Sequence, residues 1–283
     1  MSQPTSFVVA GIQCNPQIGR PAHNLQMISD WSAQARKVGA SLAIFPECAV
    51  TGYCFDSLEE GLAIAETVPG PATEALAAIA RKLEIHLIVG MLERAPGTDG
   101  DQLYNVAVLV GAEGLIGTYR KIHLPFLGVD RFTAHGREGF QVYDTGVARI
   151  GVNICYDCSF PESARVMMLS GSDLIALPTN WPESGGCAVP DFVVRTRALE
   201  NKVYYAAINR VGTERGVKFI GRSSIVDPFG RPLATADDRE QMLLAEITPA
   251  LAREKHIVRV PGEHEIHRLN DRQPDQYGLL TRL

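Results

Sequence analysis

The sequence has 283 residues, 46% of them hydrophobic, and its 27 basic and 32 acidic residues give a formal net charge of −5. A chain of this length and composition can bury a large core, which excludes an intrinsically disordered protein. The charges are spread without a block of one sign, so neither nucleic-acid binding nor attachment to a membrane is predicted, and the expected partner is a small molecule or another protein chain.

The first stretch, MSQPTSFVVAGIQ, lacks the basic start and apolar core of an export signal, and no apolar run approaches the roughly 20 residues of a membrane span. We therefore expect a soluble, cytoplasmic protein. Six cysteines in such a chain are most simply reduced thiols: Cys14, Cys48, Cys54, Cys155, Cys158 and Cys187.

Short aliphatic and β-branched runs predict nine strands, several of them buried on both faces, at residues 7–13, 41–46, 85–92, 104–110, 148–155, 173–178, 203–210, 222–227 and 242–247. Apolar residues at helical spacing predict four helices, at 24–39, 71–84, 161–171 and 187–202. Pro71 and Pro161 suit first helical positions, and Gly39 and Gly171 suit positions just past a helix end. The alternation of strands and helices predicts a layered α/β fold.

No linker rich in Pro, Gly or Ser divides the chain, and no repeat of fixed period is present. We predict one domain over residues 1–259. The polar and charged stretch 260–283 has no clear periodicity. It is predicted to be a C-terminal extension at a subunit interface or over the surface.

Cys155 closes a strand-like run, and Pro161 opens a helix six residues later. Ligands of α/β folds bind at the carboxyl ends of strands, and the dipole of a following helix favours a thiolate there, so Cys155 is a candidate nucleophile. Cysteine also packs well in a core. Cys155 and Cys158 could instead form a redox or metal pair, although the usual further soft ligands are missing. These residues alone leave the three interpretations open.

Two other predicted strands end in ionisable residues. Glu47 follows an apolar run, where poor hydration would raise its proton affinity toward that of a general base. In GTYRKIHLPF, alternation places Lys121 and His123 on one face and Arg120 on the other. An inward-facing lysine would lower the pKa of a nearby cysteine and help to bind an oxyanion. Glu47 and Lys121 could each also be an ordinary solvated side chain. A catalytic role is therefore indicated by their occurring together with Cys155 and not by either residue alone.

Three segments resemble, in order, the catalytic blocks of the carbon-nitrogen hydrolases of the nitrilase superfamily: FPE at 45–47, RKIHLP at 120–125 and ICYDCSFPE at 154–162. Further similarity at LPTNWP (177–182), RALEN (197–201), NRVG (209–212) and GRSSIVDPFG (221–230) extends the resemblance over residues 7–250. It implies an α/β four-layer αββα sandwich that forms a homodimer or higher homo-oligomer. It also implies a triad of Glu47 as general base, Lys121 as oxyanion stabiliser and Cys155 as nucleophile. No cofactor and no metal site is predicted.

The sequence departs from the family pattern after the lysine block, where many members carry a second glutamate. The corresponding stretch LGVDRFTAHG offers Val129 with Asp130 beside it. Asp130 is therefore the first candidate for a supporting catalytic role, and Glu138 the second.

The substrate class is predicted from the residues around the nucleophile. Tyr156 and Asp157 resemble the amide-cleaving branches, whereas nitrilases usually have Trp-Glu there. Cys158 and Ser159 stand where carbamoyl amino acid hydrolases often carry arginines that grip a carboxylate, which favours a small neutral amide as the substrate. The candidate pocket residues, each of which could equally be core packing, are Tyr53, Phe126, Phe132, Tyr156, Asn180 and Trp181.

The predicted activity is hydrolysis of a small amide through a cysteine thioester, releasing ammonia or an amine and a carboxylic acid. Hydrolysis of N-carbamoyl or ureido compounds, hydrolysis of nitriles, and thiol redox chemistry at Cys155 and Cys158 remain alternatives, as does an inactive scaffold that kept the fold.

Overall fold

Strands and helices alternate along the chain in the computed structural model, which describes residues 6–98 and 100–282. The first half contains β1 (Phe7–Gln13), α1 (Pro21–Lys37), β2 (Ala40–Ile44), α2 (Leu58–Ile64), α3 (Pro71–Leu83), β3 (His86–Gly97), β4 (Gly100–Gly111) and β5 (Gly114–Arg120). The second half contains β6 (Val142–Asp144), β7 (Arg149–Val152), α4 (Pro161–Leu169), β8 (Leu174–Thr179), α5 (Val194–Asn201), β9 (Tyr204–Asn209), β10 (Thr213–Glu214), β11 (Val217–Lys218), β12 (Ser224–Val226), β13 (Pro232–Thr235), β14 (Gln241–Ile247), α6 (Pro249–Arg253), β15 (His256–Val260) and β16 (His264–His267). All nine predicted strands are present.

Two six-stranded sheets form the centre of the molecule. The first has the order β14-β1-β2-β3-β4-β5, and the second has the order β13-β12-β9-β8-β7-β6. Each sheet has three adjacent parallel strands, β1 to β3 in the first and β7 to β9 in the second, and antiparallel strands outside them. The sheets pack face to face, with β1 against β9 and β3 against β8.

Helices cover the outer face of each sheet. Ile28 of α1 and Leu76 of α3 are buried against the first sheet, and Met167 of α4 and Ala198 of α5 are buried in the core of the second. A fully buried side chain of the size of Ile, Leu or Met contributes about 1.5–3 kcal/mol of hydrophobic free energy. These contacts produce four layers and confirm the predicted αββα sandwich.

The helix punctuation in the sequence is also confirmed. Pro71 and Pro161 occupy first-turn positions of α3 and α4. Gly39 and Gly171 follow helix ends with φ of +90° and +85°, a left-handed conformation that favours glycine. The fourth predicted helix differs at its start, where Val189–Val193 forms a π-helix before α5.

The end of the chain is more regular than its composition predicted. β15 and β16 pair as an antiparallel hairpin that crosses the predicted boundary between residues 259 and 260. The polar sequence hides this hairpin because most of its side chains are exposed or half-buried, so no apolar alternation marks it. Beyond it, Tyr277 and Leu280 line a cavity together with Arg165 of α4 and Glu200 of α5. Within the described ranges, no helix is both long and apolar enough to cross a membrane.

Candidate active site

Glu47 lies in a loop that follows β2 and folds back over β3. The amide of Phe45 donates to the carbonyl of Ile88 (2.9 Å), and the amide of Val50 donates to the carbonyl of Gly90 (3.1 Å). A Cβ at position 90 would lie 2.7 Å from Glu47 Cα, so only glycine lets the loop pass this close. The loop therefore holds Glu47, which is 1% exposed, at the edge of the sheet.

Lys121 directly follows β5, and its amide continues the strand by donating to the Asn105 carbonyl (2.9 Å). The side chain is fully buried, and Nζ donates to Glu47 Oε1 (2.7 Å) and to Asp130 Oδ2 (2.6 Å). Burial disfavours the ammonium, but the two carboxylates outweigh it and raise the pKa of Lys121 well above its usual range. Lys121 is therefore a charged group at neutral pH.

Asp130 lies in a short 3-10 turn, Gly128–Arg131, and joins the same cluster. Its Oδ2 accepts a hydrogen bond from the Tyr53 hydroxyl (2.9 Å) as well as from Lys121. Asn105 links the two carboxylates, since its Nδ2 donates to Glu47 Oε1 (2.7 Å) and to Asp130 Oδ1 (2.9 Å). Glu138, the other carboxylate considered from the sequence, lies outside the cluster and pairs with Arg120.

Asn105 is a residue of the cluster that the sequence interpretation missed. It lies in β4, pairs in register with Leu92 and is fully buried. The available signal was a lone amide within the apolar run YNVAVLV, because a buried polar side chain requires a partner.

Cys155 begins a 3-10 turn, Cys155–Ser159, that leads into α4, and it adopts φ of +45°. Burial and the charge of Glu47 raise the pKa of its thiol well above 9.0, while Lys121, the Thr179 hydroxyl and the Asn180 amide act in the opposite direction. Cys155 therefore lies within electrostatic reach of both Glu47 and Lys121. The structure brings the three predicted residues together at one site.

Three buried polar atoms at this site have no hydrogen-bond partner of ordinary geometry within the described residues. They are Glu47 Oε2, Thr179 Oγ1 and Asn180 Oδ1. Asn180 is oriented by its Nδ2, which donates to the Glu47 carbonyl (3.0 Å). Burial raises the pKa of Glu47 against the opposing charge of Lys121, and the charge of Asp130 adds to the increase. The site thus offers acceptors to a bound molecule, since buried polar atoms are normally satisfied.

The predicted pocket residues occupy different places. Tyr53 and Phe126 line a cavity of about 300 Å³ that Arg131 and Arg215 also line, and Phe126 is 91% exposed. Trp181 is buried, and its amide donates to Asn209 Oδ1 (2.9 Å). The remaining two residues are more open.

Tyr156 is 39% exposed and packs edge-on against Phe160, with ring centroids 5.1 Å apart. Phe132 is half-buried, and the Arg131 guanidinium lies 4.9 Å from its ring centroid. Neither of these two rings lines the cavity beside Tyr53.

Cys158 does not pair with Cys155, since the cysteines are all free thiols. Cys158 is fully buried, and burial raises its pKa to about 12. In the part of the chain that the structure describes, no three His, Cys, Asp or Glu side chains cluster as a metal site would require.

Comparison with known proteins places this geometry in a family. The model of the carbon-nitrogen hydrolase family matches residues 8–256. A protein named nitrilase from Pyrococcus abyssi is 43% identical over 254 residues, which cover 88% of this chain and 92% of that protein. The omega-amidase NIT2 of Homo sapiens is 31% identical over 253 residues, with coverage of 86% and 89%.

The solved structures that resemble this fold include amidases, as do the sequence relatives. A crystal structure of an amidase from Nesterenkonia sp. matches with a TM-score of 0.79 and 26% identity, over 98% of this chain and 97% of that one. A glutamate-to-glutamine mutant of the amidase from Nesterenkonia sp. AN1 matches with a TM-score of 0.79 and 25% identity, over 99% and 98% of the chains. In that mutant, the acetamide moiety of fluoroacetamide is covalently added at the active-site cysteine. The protein described here belongs to the carbon-nitrogen hydrolases of the nitrilase superfamily and is a hydrolase of the amidase type.

Proposed function

We propose that this protein hydrolyses a small amide through a thioester at Cys155, releasing ammonia or an amine and a carboxylic acid. The observation that carries the proposal is the arrangement of the Glu47 carboxylate. Its Oε1 is held by Lys121 and Asn105, while Oε2 is buried and without a partner. A fixed carboxylate with one free oxygen can take up and return a proton without moving.

In the first half of the reaction, Cys155 Sγ attacks the amide carbonyl carbon, and the thiol proton passes to Glu47 Oε2. Lys121 Nζ stabilises the oxyanion that forms on the carbonyl oxygen. Glu47 then returns the proton to the leaving nitrogen, the C–N bond breaks, and the acyl group remains on sulfur. The raised pKa of Glu47 suits this exchange, because a carboxyl group whose pKa is shifted toward neutral pH can both accept and return a proton.

In the second half, Glu47 takes a proton from water while the water oxygen attacks the thioester. The proton returns to sulfur, and the carboxylic acid leaves. Asp130 is proposed in the supporting role, because it shares Lys121 and Asn105 with Glu47. Its negative charge helps to keep Lys121 protonated throughout the cycle.

Two features favour an amide over a nitrile as the substrate. The N–H groups of an amide match the free acceptors Glu47 Oε2 and Asn180 Oδ1, whereas a nitrile has no donor. A site built to hydrogen-bond such a group rejects analogues that lack it. The acetamide moiety of fluoroacetamide found on the active-site cysteine of the related amidase supports a small amide. Because relatives are named omega-amidase and nitrilase, omega-amides and nitriles are the comparison substrates.

The proposal includes a cytoplasmic homodimer or higher homo-oligomer. Apolar side chains of α4, α5 and the C-terminal segment are exposed in the single chain, which supports an interface there: Val166, Leu169, Leu199, Leu279 and Leu280. Sedimentation of the purified protein at several concentrations tests the association state.

Ammonia release from a panel of small amides, N-carbamoyl amino acids and nitriles tests the activity. We expect release from amides, and mass measurement of a quenched reaction should show the Cys155 peptide carrying the acyl group. The variant C155A is the control and should give neither signal. Release from nitriles and not from amides would overturn the substrate class, and turnover by C155A would overturn the thioester.

A further inference from the structure

Asp157 lies two residues after Cys155 and is fully buried, but the reaction proposed above does not use it. Its Oδ2 accepts hydrogen bonds from the Ile154 amide (2.9 Å) and from the Tyr119 hydroxyl (2.8 Å). Its Oδ1 accepts one from the His123 amide (3.0 Å) and lies 2.8 Å from His123 Nδ1, so the ring tautomer that carries a proton on Nδ1 donates a fourth.

These four bonds join the two segments that carry the reacting groups. Tyr119 and His123 stand two residues before and two residues after Lys121, and Ile154 directly precedes Cys155. The lysine segment follows β5 of the first sheet, whereas the cysteine segment follows β7 of the second. One carboxylate therefore connects the two sheets on both sides of Lys121.

Stacked rings strengthen the same junction. The His123 ring packs on Phe160 with centroids 3.7 Å apart and an interplanar angle of 9°. Phe160 directly precedes α4, so the lysine segment also contacts the far end of the turn that Cys155 begins. Tyr119 in turn stacks on Phe140, at 5.9 Å.

The backbone at Cys155 needs this support. A non-glycine residue at φ of +45° is strained and persists only where its surroundings fix it. The Asp157 amide donates to the Ile154 carbonyl (3.0 Å), while its carboxylate accepts from the Ile154 amide. Asp157 thus closes the turn and holds it to the other sheet.

We propose that Asp157 is a positioning residue, which touches no substrate and fixes Cys155 Sγ relative to Lys121 Nζ. The inference rests on the hydrolase function proposed above. Lys121 favours the thiolate of Cys155, so the distance between them affects both catalysis and the reactivity of the free thiol. A purely structural role would change stability and leave both properties intact in the folded protein.

The test uses D157N, D173N and wild type as full chains. In D157N, an NH2 group replaces either Oδ1 or Oδ2. It therefore faces the backbone N–H of His123 or that of Ile154, and one hydrogen bond becomes a repulsive contact. We expect kcat for an amide to fall about 10- to 100-fold while KM changes by less than about threefold, because small displacements cost rate and not binding. Alkylation of Cys155 by iodoacetamide should slow as well.

D173N is the matched control. Asp173 is also fully buried, accepts from the Arg149 amide (2.9 Å) and Arg253 Nη2 (2.8 Å), and lies at the end of β8 opposite Thr179. D173N should lower the melting temperature without changing kcat or alkylation of the folded fraction. If D157N behaves like D173N, with both rates per folded molecule within about twofold of wild type, the proposal is overturned.

Y119F decides the matter if D157N does not fold. It removes one of the four bonds and keeps the ring, so we expect both rates to fall about threefold to tenfold, and unchanged rates would overturn the proposal. Alkylation requires no substrate. A wild-type protein that cleaves no amide would therefore count against the hydrolase function, while the alkylation rates would still decide the role of Asp157.

Discussion

Gly90 lies directly beneath the loop that carries Glu47, with no room between them for a side chain. A Cβ at Gly90 would lie 2.3 Å from the backbone nitrogen of Cys48 and 2.7 Å from Glu47 Cα. This close passage brings the Glu47 carboxylate to Lys121. A residue of β3 that carries no chemistry therefore sets the position of the proposed general base.

Replacing this glycine should displace the loop. We expect G90A to lose about 1–3 kcal/mol of unfolding free energy through overpacking, and to lose most of its amidase activity because Glu47 moves away from Lys121. Denaturant unfolding and kcat measurements test this. G278A is the control, since its Cβ would come no closer than 3.5 Å, to the end of the Arg282 side chain. Full activity in G90A would show that the loop adjusts without moving the carboxylate.

Asn105 should matter through both carboxylates that it bridges. N105A removes one of the two donors to Glu47 Oε1 and the amide donor to Asp130 Oδ1. We expect this change to cost about 1–3 kcal/mol of stability together with much of kcat. N105D places a third carboxylate beside Glu47 and Asp130, so at neutral pH it should be the less stable variant. The difference in stability should close as pH falls, because protonation removes the added charge. Unfolding of both variants across a pH series tests this order, and a more stable N105D at neutral pH would contradict it.

The charge of Glu47 should control the titration of Cys155. Burial and the charge of Glu47 raise the pKa of the Cys155 thiol well above its usual range. Alkylation of the wild-type thiol should therefore accelerate as pH rises through that pKa, and in E47Q the midpoint should move to lower pH. Amide hydrolysis by E47Q should nevertheless fall about 10²- to 10⁴-fold, as expected for loss of a general base. E138Q, which changes an exposed carboxylate outside the cluster, is the control, and an unshifted midpoint in E47Q would contradict the assignment.

Lys121 should be essential for stability as well as for activity. K121M leaves Glu47 and Asp130 buried together without a cation, which we expect to cost about 3–5 kcal/mol. The loss should be largest where both carboxylates are ionised and should shrink as pH falls, because protonation of either one removes the repulsion. Thermal unfolding against pH tests this, with K218M, at an exposed ion pair, as the control that should change little. A loss of stability that does not change with pH would contradict repulsion between Glu47 and Asp130 as its cause.

Cys158 separates the hydrolase from the redox alternative. C158S should keep near-normal turnover, because the Cys158 group that bonds Arg197 is its backbone carbonyl and not its thiol. C155A should lose all turnover. A redox mechanism that uses both thiols predicts instead that either change abolishes activity.

The layered fold and the region of the site could be predicted because both depend on local patterns. Buried parallel strands are continuous apolar runs, and polar residues that follow β2, β5 and β7 stand at strand ends where the sheets meet. Short edge strands such as β6 and β13 carry few buried residues and leave no such pattern.

The hydrogen-bonded neighbours of the site could not be predicted in the same way. Asn105 and Asp157 act through partners that are distant in sequence and that only the folded chain brings together. The family resemblance predicts Asp130, because it implies a second carboxylate after the lysine block. Its bond to the Tyr53 hydroxyl joins residues 77 positions apart, and the sequence gives no signal for it.

The burial of Cys155 affects how readily its sulfur is oxidised. Peroxide oxidises thiolates at accessible positions, whereas Cys155 is only 7% exposed and burial raises the pKa of its thiol. In the proposed reaction, its sulfur becomes nucleophilic when a bound substrate receives the attack and Glu47 takes the proton. The resting protein should therefore resist conversion to sulfenic acid under conditions that inactivate cysteine hydrolases with a preformed thiolate.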